Sequence, residues 1–237
     1  MIKATAQING NTYTLPMSYD DITLGKFKAI QDFLYSEHNK ELTEQITEGK
    51  VVDEESILNY MVDVLNYVTG IPTKELKQVR RFTKDDDIGI EDLFYSFTWV
   101  YTVPQIDNPK PAYTIGRYHF IDKFDLTQAV LKDLNFIEYT EANTVIRLFN
   151  EMKEGRYDNL NLLLGIMYRP MVRENWYRKP KIEEYDSEKV KERAKEFNEV
   201  KMSTVWNCLF FFTQLRTELL KSTAKSLEEE VEKVRQG

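Results

Sequence analysis

Apolar and polar residues alternate along the first part of the chain, Lys3 to Leu15 (KATAQINGNTYTL), in two short runs that meet at Asn9-Gly10. Period-two alternation is a strand pattern. Asn-Gly is the dipeptide of a type I′ turn, in which both central residues take positive φ, so this stretch predicts a β-hairpin. At Thr23 the period changes. Leu24, Phe27, Ile30 and Leu34 fall on one helical face, with Thr23 placed to cap it. Asp53 opens a second helix, in which Ile57, Leu58, Met61, Val64, Leu65 and Val68 recur at threes and fours, and Gly70 with Pro72 ends it. Glu41 to Val52 is polar and reads as exposed helix or loop, and Thr73 to Val79 suits a short helix.

Helix and strand signals compete from Ile90 to Tyr101. Leu93, Phe97 and Val100 make a helical face, while the aromatic and β-branched content favours a strand; the expectation is a helix followed by extended chain before Pro104. The prolines of Pro104 to Pro111 mark a loop, and Ala112 to Ile121 (AYTIGRYHFI) alternates around Gly116 as a second hairpin. The stretch Leu126 to Pro170 is organised around its end, where Leu160, Leu162, Leu163, Leu164, Gly165, Ile166 and Met167 run into Tyr168-Arg169-Pro170. A segment apolar on nearly every side predicts a central buried helix with other helices around it.

Beyond Pro170 the chain reads MVRENWYRKPKIEEYDSEK, a charged, proline-containing connection, and then a helix from Ser187 to Val200 with Val190, Ala194 and Phe197 inward. A last helix is expected from Ser203 to Arg235. It would extend roughly 50 Å. Its later apolar positions, Leu220, Leu227, Val231 and Val234, have the spacing of a short coiled-coil seam. The fold class is therefore α+β, mainly α-helical, with two small hairpins and a long C-terminal helix. One domain is expected over 1–221, with a helical extension over 222–237. Each hairpin is followed by Asp-aliphatic-Thr and an amphipathic helix, at Asp21-Ile22-Thr23 and Asp125-Leu126-Thr127. This order leaves open an internal duplication with halves near 1–103 and 112–221.

Composition narrows the function classes. A 237-residue chain with 42% hydrophobic residues can bury a real core, and 39 acidic against 32 basic side chains give a net charge of −7. That balance disfavours a general nucleic-acid-coating role, which needs clustered positive charge, and leaves a local basic patch open. The single cysteine, Cys208, excludes an intramolecular disulfide and any Cys-based zinc site, and it fits a reducing compartment. MIKATAQING has no apolar core of a signal peptide, and no run approaches the length of a membrane span, so no membrane role is expected.

Candidate chemistry is sparse. His38 and His119 stand far apart with no clear carboxylate or thiol beside them, and each reads as a surface or packing histidine. Asp85, Asp86 and Asp87 lack the alternation and glycine of an EF-hand loop and read as a solvated helix entry. Cys208, among Leu209, Phe210 and Phe211, reads as a small core hydrophobe. No catalytic, metal or cofactor residues are assigned, and the expectation is a protein that is not an enzyme.

The stretch Arg169 to Lys181 stands out, because Arg169, Arg173, Arg178, Lys179 and Lys181 interleave with Trp176 and Tyr177, opposed only by Glu174. Such a stretch suits contact with the acidic surface of a neighbouring subunit or pairing within the chain. It also suits single-stranded nucleic acid. The candidate interface is accordingly Arg169, Arg173, Trp176, Tyr177, Arg178 and Lys179, with Leu220, Leu227, Val231 and Val234 on the expected C-terminal helix.

From Ala112 to Leu215, a hairpin leads to Asp-Leu-Thr-Gln (125–128) and an amphipathic helix. Asn-Leu-Asn-Leu-Leu-Leu-Gly-Ile-Met-Tyr-Arg-Pro (159–170) and Glu-Arg-Ala-Lys-Glu-Phe (192–197) follow, before an aromatic helix. This succession resembles small structural and tail-assembly proteins of tailed bacteriophages, most of all those in the tail and neck gene clusters of crAss-like phages. The resemblance implies a non-enzymatic virion protein, first a ring-forming neck or tail component that self-associates and binds adjacent phage proteins. It implies a location in the virion, and in the host cytoplasm during assembly. A tail-assembly chaperone not retained in the particle is the alternative, and a nucleic-acid-binding adaptor is a further one.

Overall fold

The computed structural model describes residues 4–47, 52–79, 89–107, 109, 114–120, 144, 147–148, 151, 157–173 and 175–211. The fold is α+β, with helices and two small antiparallel sheets. One domain was the expectation over 1–221; the chain's contacts cluster in two compact units, Met1–Gln105 with Lys201–Ser203, and Ile106–Val200 with Thr204–Gly237.

The first unit opens on the hairpin of β1 (Ala4–Ile8) and β2 (Asn11–Leu15), in register Ile8 with Asn11 and Ala4 with Leu15. Asn9 and Gly10 take φ of 51° and 81°, the two positive values that a type I′ turn requires. Helix α1 (Leu24–Leu34) starts where Thr23 Oγ1 accepts the Lys26 N–H at 3.3 Å, and it buries Leu24, Phe27, Ile30 and Leu34. The polar stretch after it forms α2 (Glu37–Thr47). Asp53 caps α3 (Glu54–Thr69) by accepting the Ser56 N–H at 2.8 Å; the Ser56 hydroxyl, donating at 2.6 Å, and then that N–H hold its carboxyl below the ordinary carboxylate value. Gly70 ends that helix with φ of 78°, a left-handed conformation that only glycine adopts freely.

Two short helices follow, α4 (Thr73–Leu76) and α5 (Ile90–Tyr95). Extended chain was expected between α5 and Pro104; Thr98–Tyr101 forms a 3-10 turn instead, and only from Thr102 is the backbone extended. The turn seats Val100 in the core, where its carbonyl accepts from the buried Gln31 amide at 3.3 Å. Residues 201–203 close this unit, with Met202 N–H donating to Ile22 and Ser203 N–H to Tyr19.

The second unit departs further from expectation. Strands β3 (Thr114–Ile115) and β4 (Tyr118–Phe120) form the hairpin around Gly116, but it belongs to a four-stranded antiparallel sheet. Helix α6 (Leu160–Met167) passes straight into β5 (Tyr168–Val172), which lies between β4 and β6 (Lys181–Ile182). The segment after Pro170 is thus a hairpin rather than a plain connection. Helix α7 (Ser187–Phe197) and residues 204–211 of a helix that begins at 202 (α8) complete the described part. The duplicated start at Asp125, the acidic run Asp85 to Asp87, the side chain of His38 and the expected helix beyond residue 211 lie outside the described residues.

The core of this unit is the contact of α6 with α7. Leu160, Leu163, Leu164, Ile166 and Met167 are buried, as are Val190, Ala194 and Phe197 across from them. Gly165 sits at the crossing, where an added Cβ would lie 2.9 Å from the Val190 carbonyl oxygen, a backbone atom with no freedom to swing aside. A helical glycine ordinarily costs about 1 kcal/mol against alanine; here it permits the close approach of two backbones. Gly165→Ala therefore reverses the usual sign: it lowers unfolding stability by about 2 kcal/mol, as overpacking does, and urea titration followed by circular dichroism measures it.

Candidate functional site

The site grows out of a difficulty created by Pro170. In an antiparallel pair every second facing pair exchanges two N–H to carbonyl bonds, and the β5–β6 register, Met171 with Ile182 and Val172 with Lys181, sets Pro170 opposite Glu183 as such a pair. Glu183 N–H donates to the Pro170 carbonyl at 3.0 Å, but proline has no N–H to return. Arg169 fills that role: its Nη1 donates to the Glu183 carbonyl at 3.3 Å.

The same guanidinium also serves the end of α6, because the last carbonyls of a helix have no partner within it. Tyr168 N–H takes the Leu164 carbonyl; Arg193 Nε donates to Gly165 at 3.2 Å and Arg169 Nε to Ile166 at 3.2 Å. Cations are favourable at this negative pole of the helix. The Glu183 carboxylate balances them by accepting from Arg193 Nη1 and from Lys189 Nζ. Burial, and then the neighbouring Arg193 charge, bring the Arg169 pKa down to about 10, so it stays protonated at neutral pH. The Tyr185 ring lies beneath it at 5.5 Å.

Arg169 is thus 6% exposed and works inside the fold, apart from the other five residues of the expected basic and aromatic patch. Those five lie on the β5–β6 loop. A turn with the Arg178 N–H donating to the Asn175 carbonyl at 3.1 Å shapes its tip, and Arg173 Nη1 reaches the Trp176 carbonyl at 3.5 Å. Trp176 and Tyr177 meet edge to face at 5.9 Å and are 86% and 67% exposed, the two most exposed large aromatics apart from Tyr35 among the described residues. Arg173, Arg178 and Lys179 are exposed beside them. Leu220, Leu227, Val231 and Val234 lie outside the described residues.

Cys208 is buried, with its sulfur 2.9 Å from the hydroxyl of the fully buried Tyr168, whose pKa burial pushes up. His119 lies on β4 facing Arg169 in register. Among the described residues, no three His, Cys, Asp or Glu side chains gather as a metal site, and no helix is long and apolar enough to cross a membrane. Glu183 escaped sequence reasoning, since in the run Lys-Ile-Glu-Glu-Tyr nothing separates it from Glu184; only its register opposite Pro170 does. No family model matches the chain, nor does any curated protein or solved structure match it significantly.

If Arg169 stands in for the missing Pro170 N–H, the two positions are coupled. Arg169→Met should cost about 2 kcal/mol, the usual worth of hydrogen bonds to a charged group. It should cost less in a Pro170→Ala background, where the backbone regains a donor; a double-mutant cycle by urea unfolding measures the difference.

Proposed function

We propose that this protein is a non-enzymatic structural component that works by self-association and by binding adjacent proteins. In this reading it is a ring-forming subunit of the neck or tail of a tailed bacteriophage, located in the virion and in the host cytoplasm during assembly. The observation that carries it is the loop tip, where a large aromatic pair with three flanking cations stands in solvent on a short, braced hairpin. Exposing an indole and a phenol side by side is costly in water, and Trp, Tyr and Arg are the residues that anchor protein interfaces.

The setting comes from the resemblance of the succession between Ala112 and Leu215 to tailed-phage proteins. The sequence spacing of Leu220, Leu227, Val231 and Val234 adds a second apolar seam suited to self-association. The same tip suits a tail-assembly chaperone, which binds its clients and then leaves. It also has the aromatic and basic character of a single-stranded nucleic-acid contact, against a chain charge of −7.

Three measurements separate these readings. Sedimentation velocity over a wide concentration range should reveal a concentration-dependent oligomer, and mass spectrometry of purified particles should find many copies. A monomer absent from particles would replace the ring subunit with the chaperone, and binding of DNA or RNA lost on changing Arg173, Arg178 and Lys179 to Glu would establish the adaptor. Trp176→Ala should weaken self-association by about 2 kcal/mol, roughly 30-fold, with unchanged unfolding stability, since an exposed anchor contributes to the contact and not to the fold.

A further inference from the structure

The tip asks for a receptor that is acidic, partly apolar and concave. The first unit carries one. Between α2 and α3 lies a cleft of about 330 Å³, whose walls include Glu41, Asp53 and Asp63 and whose apolar surface comes from Leu42, Val52 and Tyr60. Among the described residues that line it there is no Lys, Arg or His. Glu41 and Asp63 are exposed at its rim, while Asp53 is engaged by Ser56 as the cap of α3. A second cleft of about 370 Å³ is lined by Asp21 and Lys26 together, so its charge is mixed and does not match a basic tip.

Resting on the self-association reading above, we propose that the Trp176–Lys179 tip of one copy seats in the α2–α3 cleft of a second copy. Arg178 and Lys179 would face Glu41 and Asp63, and the indole would cover Leu42, Val52 and Tyr60. Charge complementarity favours this occupant: the chain is acidic as a whole, its exposed tip is basic, and complementary potentials steer and register such contacts. The two surfaces are different, so the contact is heterologous. Head-to-tail contacts of this kind either close into a ring or run on as a filament, whereas a self-complementary contact stops at a dimer.

The test uses the full chain in two charge-reversed forms. Arg178→Glu with Lys179→Glu makes the tip acidic against an acidic cleft; Glu41→Lys with Asp63→Lys makes the cleft basic against a basic tip. All four changes are at exposed positions, and thermal unfolding identical to the parent establishes that each form is folded. Each form alone should associate roughly tenfold more weakly or less than the parent in sedimentation velocity. An equimolar mixture should recover association, because every tip then finds a cleft of opposite charge on the other form. Recovery should fade as salt rises. If the parent associates and the mixture shows no recovery, or either form alone associates normally, the tip-in-cleft contact is overturned and self-association runs through another surface. If the parent is monomeric at every concentration, the self-association reading itself fails.

Discussion

A proline in an interior strand leaves one carbonyl of the neighbouring strand without its ladder partner, and much of the second unit is arranged around that vacancy. Pro170 cannot donate to Glu183, so the side chain of the preceding residue is turned inward to do so. Once buried there, the Arg169 guanidinium also reaches the Ile166 carbonyl, and Arg193 from α7 takes the adjacent carbonyl of Gly165. One helix end and one strand pair are thus closed by the same pair of cations, with Glu183 as their counter-charge. Removing Glu183 would leave the buried cations without their counter-charge, so a change there should cost more than one in an exposed pair such as Lys191 with Glu188.

Gly165 makes this geometry reachable. Without a side chain it lets the α7 backbone come close enough for Arg193 to span to the α6 terminus, and Val190, Ala194 and Phe197 then pack against the leucines of α6. The hairpin that follows is anchored on this base. Its strands are short, β6 having only two residues, so a fixed loop direction depends on the anchorage at Pro170 and Glu183 more than on the ladder itself. A tip held in one orientation loses less freedom when it meets a partner.

The elements written within a few residues were legible in the sequence. Asn9-Gly10, Thr23, Asp53 and Gly70 each specify a turn or a helix end through their own backbone or side chain, and each stands where its local chemistry puts it. The second sheet was harder because its determinants are not local. The apolar run from Leu160 passes without a breaker into Tyr168, so nothing in the period marks the change from helix to strand, and Pro170 argues against an interior strand until Arg169 is seen to replace its donor. The same non-locality divided the patch. Spacing placed Arg169 with Arg173, Arg178 and Lys179, whereas the register of β5 against β6 draws it inside and leaves the others on the loop. The aromatic pair was legible as chemistry, since Trp176 and Tyr177 have no apolar neighbours in sequence to pack with.

In the proposed function, the Trp176 tip is the surface that becomes covered when copies of the chain associate. Of the three tryptophans, Trp206 is buried at 3% exposed, Trp99 is partly buried, and Trp176 stands in solvent at 86%. Acrylamide quenching of intrinsic fluorescence, followed as protein concentration rises alongside the sedimenting mass, therefore reports chiefly on that one side chain, and Trp176→Phe gives the remainder contributed by Trp99. The readily quenched fraction should fall, and the emission shift to the blue, in step with the growth in mass. A mass that grows while the quenched fraction stays constant would remove the tip from the interface, because association would then leave it in water.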